Sequence, residues 1–107
     1  MEKRKPTYQL TEVKRLATEG FFDFSIAAWE TANALKFSEI DVRNVILRLE
    51  SRDFYKSVSE YREHQVWQDV YKKQVGNSKI YIKFKIVKVE ERFLLIMSFK
   101  KDESRDR

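Results

Sequence analysis

Cysteine is absent from this 107-residue chain and histidine occurs once, at His64. The first absence removes disulfides and thiolate metal sites, and the second removes the multi-histidine sites that hold zinc or iron. No metal and no cofactor are therefore expected. Long apolar runs are missing as well: nothing approaches the ~20 residues of a membrane-crossing helix. The basic start, Met1 to Pro6, leads into Glu12, Lys14, Arg15 and Glu19 and not into an export core. The expectation is a cytoplasmic protein with no membrane partner.

What is present is a core-forming composition, 42% hydrophobic and 14% aromatic, enough for one folded domain and too short for two. The domain is expected to span residues 1–100, with 101–107 a charged tail that frays. The net charge of +5 is unevenly placed. Residues 72–100 hold eight Lys/Arg against two Glu, residues 1–71 hold eleven against twelve acids, and the last seven balance. Positive charge gathered on one region marks a polyanion site; the competing reading is a solvated sheet face.

Spacing divides the chain in two. Leu10, Val13, Leu16 and Ala17 recur at helical intervals, with Gly20 placed to end the helix in a left-handed cap. Phe21 to Phe24 reads as a short apolar connector. Ser25 is placed to cap a second helix with a core stripe of Ala28, Trp29, Ala32 and Leu35, and Ser38 with Asp41 resembles the capping box of a third bearing Val42, Val45, Ile46 and Leu49. From Arg52 the period becomes two, giving strands at roughly 53–60, 65–73, 79–88 and 92–100. The fold class is α+β: N-terminal helices packed on one face of an antiparallel sheet.

The last hairpin has a testable register. With Glu90 and Glu91 as its two central turn residues, Tyr81 lies across from Lys100, Lys83 from Ser98, Ile82 from Phe99, Phe84 from Met97 and Ile86 from Leu95. One face is then apolar and the other carries Tyr81, Lys83 and Lys85. In the preceding hairpin, a two-residue loop puts Gln68 on the face of Tyr81, while a three-residue loop puts Asp69 there. Spacing does not choose between them.

Lys56, Gln68, Tyr81 and Lys100 thus stand out as polar groups inside strands. Amine, amide and phenol suit a phosphodiester and the charge that builds on phosphorus during RNA cleavage. Lys56 would serve as a base only if neighbouring lysines depressed its pKa from ~10.4 towards neutrality. His64 reads as a strand-edge or surface residue. Each candidate also has an ordinary explanation: Lys56 as an outward lysine guarding an edge strand, Gln68 as a loop partner, the tyrosines as products of strand propensity. A non-catalytic RNA-binding module remains an open alternative.

Whole segments sharpen the choice. Met1-Glu-Lys-Arg4 with Pro6, Val13-Lys14 and Leu16, Asp53-Phe-Tyr-Lys-Ser57, His64 with Trp67-Gln-Asp-Val-Tyr71, Tyr81-Ile-Lys83 and Ser98-Phe-Lys100 together resemble the MqsR family of type II toxin-antitoxin mRNA interferases. The resemblance runs from residue 1 to about 100 and is weak from Phe21 to Asp41. It implies a RelE-like toxin fold and a ribosome-independent endoribonuclease that cuts mRNA at short GC-containing triplets. It also implies a cognate antitoxin with zinc-binding and helix-turn-helix domains. The family's proposed catalytic residues fall on Lys56, Gln68, Tyr81 and Lys100. Tyr55 is their neighbour, and the resemblance favours the loop that places Gln68 beside Tyr81. With Lys83 and Lys85 from the hairpin register, Tyr55 is expected to contact RNA. A RelE-like toxin acting on a protein target remains an alternative. Thr7 stands where the family leads one to expect a histidine.

Overall fold

The change of period between Leu49 and Arg52 separates a helical layer from a sheet. A computed structural model describes residues 1–59 and 66–103, so His64 and the last four residues of the expected tail lie outside the described residues. Helix α1 (Leu10–Thr18) stops as expected: Gly20 adopts φ +83°, and the Gly20 and Phe21 N–H groups return to the carbonyls of Ala17 and Leu16 at 3.3 and 2.9 Å. Only glycine takes that left-handed turn without a Cβ penalty. Helix α2 (Ile26–Ala34) begins at Ser25, whose Oγ accepts from the Ala28 N–H. Helix α3 (Glu39–Leu47) begins with the reciprocal Ser38–Asp41 capping box.

The helices bury Val13, Leu16, Ala17, Ala28, Ala32, Val42, Val45 and Ile46, joined by Leu49 just beyond α3. Trp29 departs from the expected stripe. It remains 43% exposed and packs edge-on against Phe24 at 5.2 Å. The small Ala28 and Ala32 bring α2 close to the sheet, and the indole, one residue out of phase with them, is turned to the rim.

Among the described residues, six strands form one sheet in the order β1-β3-β4-β5-β6-β2. Strands β3 (Phe54–Ser59), β4 (Trp67–Val75), β5 (Ser78–Lys88) and β6 (Arg92–Lys101) make the expected antiparallel meander. Two short strands were not expected from spacing. Strand β1 (Glu2–Lys3) pairs antiparallel with β3, and β2 (Phe22–Phe24), expected as a connector, pairs parallel with β6. Three residues are too few to display a period. Strand β6 also runs one residue into the segment read as tail. Beyond it, the Asp102 N–H donates to the Lys79 carbonyl at 2.7 Å.

A bulge corrects part of the last hairpin. Tyr81 faces Lys100, Ile82 faces Phe99 and Lys83 faces Ser98, as expected, but the register then slips by one. Phe84 faces Ile96, not Met97, and Ile86 faces Leu94, not Leu95. Leu94 and Ile96 enter the core in place of Leu95 and Met97, and Val89, Glu90 and Glu91 lie between the paired residues Lys88 and Arg92. One extra residue reverses which side chains face inward beyond it. The core behind the sheet is completed by Tyr71, stacked on Phe84 at 5.5 Å, with Ile80, Ile82 and Phe99.

The chain between β1 and α1 crosses the helical side of β3 and β4. Asp69, fully buried, accepts the Thr7 N–H on both carboxylate oxygens at 3.0 Å and the Tyr8 N–H at 2.9 Å. The Thr7 hydroxyl meets Ser57 Oγ at 2.9 Å, and the Tyr8 hydroxyl donates to the Trp67 carbonyl at 2.7 Å. A buried carboxylate needs such donors, and here they tie down the arm that carries β1.

Candidate active site

The turn between β4 and β5 settles the question left open by spacing. Val75 pairs with Ser78, leaving Gly76 (φ +61°) and Asn77 as a two-residue loop. Counting back along β4, Lys72 faces Tyr81 and Val70 faces Lys83, so Gln68 shares their side of the sheet while Asp69 lies on the helical side. On β3, Lys56 faces Val70 and Val58 faces Gln68; on β1, Glu2 faces Val58. Directly paired residues project to the same face. Glu2, Lys56, Gln68, Lys72, Tyr81, Lys83, Lys85 and Lys100 therefore occupy the face away from the helices.

A second bulge adds Tyr55. The β3–β4 register shifts between Phe54 and Lys56. Phe54 stays on the core side, edge-on to Tyr71 at 5.5 Å. Tyr55, unpaired, turns to the side of Lys56. The Lys72 ammonium sits 3.9 Å from the Tyr55 ring centroid and that of Lys56 5.2 Å. The ring thus lies close to two cations and remains 39% exposed, an arrangement suited to stacking an unpaired base beside its phosphate.

The site's charges are specific. Lys56 Nζ contacts Glu2 Oε2 at 2.8 Å. That hydrogen bond and its charge hold the Lys56 pKa above the ordinary lysine value, outweighing burial. The shift runs opposite to the lowering that a Lys56 base would need. Tyr81 has its phenol pKa raised, chiefly by burial, against a lowering influence of the Lys56 charge. It remains a proton donor at neutral pH. Lys100 Nζ lies 5.2 Å from the Tyr81 ring centroid, and Lys72 pairs with Asp102 at 3.4 Å.

Gln68 is 5% exposed, and its Oε1 is buried with no hydrogen-bond partner among the described residues. An unpaired buried amide oxygen costs about 1–3 kcal/mol. Such a cost is retained most readily where a ligand or a reaction uses the group.

All four residues singled out as catalytic, with Tyr55, Lys83 and Lys85, are thus brought to one face. Lys56 and Lys100 nonetheless stand three strands apart, roughly 14 Å between their backbones at ~4.8 Å per strand. Strand β5, which carries Tyr81, lies between their strands. Sequence reasoning missed Glu2, Lys72 and Asp102. Lys72 was legible in principle, because it alternates with Gln68 and Val70. Glu2 carried no signal, since a two-residue strand has no pattern.

Residues 5–101 match the family described as motility quorum-sensing regulator, toxin of MqsA. The chain belongs to the MqsR toxin family. It is 36% identical over 100 residues, covering 94% of this chain and 98% of its relative, to the mRNA interferase toxin MqsR of Escherichia coli (strain K12). Thr7, where a family histidine was expected, is spent on Ser57 and Asp69 on the helical side, away from Lys56 and Tyr81. Among the described residues, no helix is long and apolar enough to cross a membrane.

Proposed function

We propose that this chain is an mRNA interferase, a cytoplasmic toxin held in check by a cognate antitoxin that binds zinc and carries a helix-turn-helix domain. It cuts free mRNA at short GC-containing triplets without the ribosome. The observation that carries the reading is the convergence of Lys56, Gln68, Tyr81 and Lys100 on one lysine-rich face of a chain 36% identical to an mRNA interferase.

The chemistry follows from those groups. A strand of RNA lies across the face, its phosphates on Lys83, Lys85 and Lys100 and one base on Tyr55. The 2′-oxygen attacks the adjacent phosphorus. Lys56, whose pKa is held above the ordinary lysine value, stabilises the phosphorane from one side and Lys100 from the other. Gln68 serves to orient the attacking ribose, and Tyr81 delivers a proton to the departing 5′-oxygen. Lysines crowded on one face repel a divalent cation, so the charge stabilisation that a metal supplies elsewhere comes here from ammoniums.

Cleavage by purified protein should leave a 2′,3′-cyclic phosphate and a 5′-hydroxyl. EDTA should not slow it, and affinity for RNA should fall steeply as salt rises. End-group analysis of the fragments checks this. Fragments bearing 5′-phosphate, or activity abolished by EDTA, contradict the mechanism, and RNA that is bound but left intact would make the protein a binding module.

A further inference from the structure

We propose that Glu2 is the general base of this site, taking the proton from the attacking 2′-hydroxyl. The proposal rests on the interferase reading and supplies what that reading lacks. Once Lys56 is an ammonium it has no lone pair to accept a proton, and Tyr81 and Lys100 are donors. The base has to be another group within reach.

Among the described residues two carboxylates adjoin the face, and geometry separates them. The Asp102 side chain is 5% exposed and turned to Lys72 at 3.4 Å, beyond a substrate hydroxyl. The Glu2 side chain is 53% exposed and 2.8 Å from Lys56 Nζ. Its position follows from the fold. Glu2 pairs with Val58, two residues along β3 from Lys56, so the two side chains are diagonal neighbours on the open face. The arm behind is fixed by Asp69, by Lys3 over the Trp67 ring at 4.4 Å, and by the Met1 amino group on the Ser59 carbonyl at 3.2 Å. An oxygen on a tethered strand beside the cation that receives the phosphorane is where a base for the 2′-hydroxyl belongs.

The charged groups around it are consistent with a carboxylate that stays ionised. Lys56 from β3 contributes most, with Arg4 and the Met1 amino group from its own segment, and together they hold the Glu2 pKa below the usual glutamate value. Tyr55 and Tyr81 act on Lys56, the partner of that carboxylate. In the step itself the 2′-proton passes to Glu2 while the 2′-oxygen bonds to phosphorus. The bond from phosphorus to the 5′-oxygen breaks as Tyr81 gives that oxygen its proton. Solvent then takes the proton from Glu2 and returns one to Tyr81, leaving the cyclic phosphate and the 5′-hydroxyl.

A different role for Glu2, as a plug that RNA must displace from Lys56, predicts the opposite sign. The test is single-turnover cleavage by the wild type and Glu2→Gln, with binding measured on RNA blocked by a 2′-deoxy nucleotide. Glu2→Gln should cleave at least about 100-fold more slowly at neutral pH while binding blocked RNA as well or better, and the acid limb of the wild-type pH profile should disappear. On a substrate with sulfur in place of the bridging 5′-oxygen, Tyr81→Phe should recover because the leaving group no longer needs a proton, and Glu2→Gln should not. Unchanged or faster cleavage by Glu2→Gln, or recovery on the sulfur substrate, overturns the assignment. Absence of cleavage by the wild type would instead overturn the interferase reading.

Discussion

Replacing Lys56 with alanine is expected to lower the rate of RNA cleavage about 100-fold or more, equivalent to about 2.7 kcal/mol of lost transition-state stabilisation. The loss should fall on kcat, because charge accumulates on the phosphorane and little of it is present in the bound ground state. The companion variant is more telling. Glu2 raises the Lys56 pKa, which favours a role as a fixed cation, and Lys56→Arg should retain more activity than Lys56→Ala. An arginine is always charged, though its planar fork will not reproduce the ammonium geometry fully. Single-turnover rates for the two variants check this. Equal inactivity of both, with RNA binding intact, would point to proton transfer by the lysine amine and against the charge described above.

Truncating Phe84 to alanine should cost about 3–5 kcal/mol of folding stability. Phe84 is fully buried, stacks on Tyr71 at 5.5 Å with an interplanar angle of 13° and faces Ile96 across the bulge. Tyr71 in turn meets Phe54, the residue next to Tyr55. A domain of this size holds of order 5–15 kcal/mol in total, so the variant should be largely unfolded at modest urea. Urea denaturation followed by tryptophan fluorescence measures it. A midpoint close to the wild type would mean that the stacked pair does not organise this core.

The fold and the site were legible to different degrees, for physical reasons. Helix limits were readable because caps are local: Ser25, the Ser38–Asp41 pair and Gly20 act on backbone groups within five residues. The meander was readable because alternation over six or more residues fixes a face. The two bulges were not. Each inserts a single residue, and nothing in Phe54-Tyr-Lys56 or in Ile96-Met-Ser98 announces that two neighbours will share a side or that Met97 will leave the core pattern. Both alter which residues meet, the first by adding Tyr55 to the site and the second by exchanging Met97 and Leu95 for Ile96 and Leu94. The Tyr81–Lys100 pair survived because two departures cancel: Lys88, not Val89, faces Arg92, so the loop holds three residues and not two, and the extra residue at the bulge restores the expected register beyond it. The ionisation of Lys56 was unreadable for another reason. Its partner, Glu2, is fifty-four residues away in sequence, and only the closing of β1 on β3 brings the carboxylate to it.

The central claim is that this face of the sheet cleaves RNA with the substrate's own 2′-oxygen as nucleophile. The most direct measurement uses an RNA carrying one 2′-deoxy nucleotide immediately 5′ of the scissile phosphate, compared with its all-ribose counterpart under identical conditions. Binding to Lys56, Tyr81 and Lys100 should be preserved and cleavage at that phosphate abolished, while other susceptible phosphates in the same molecule continue to be cut. Cleavage of the deoxy-containing linkage at a comparable rate would show that the nucleophile comes from elsewhere and would contradict the account.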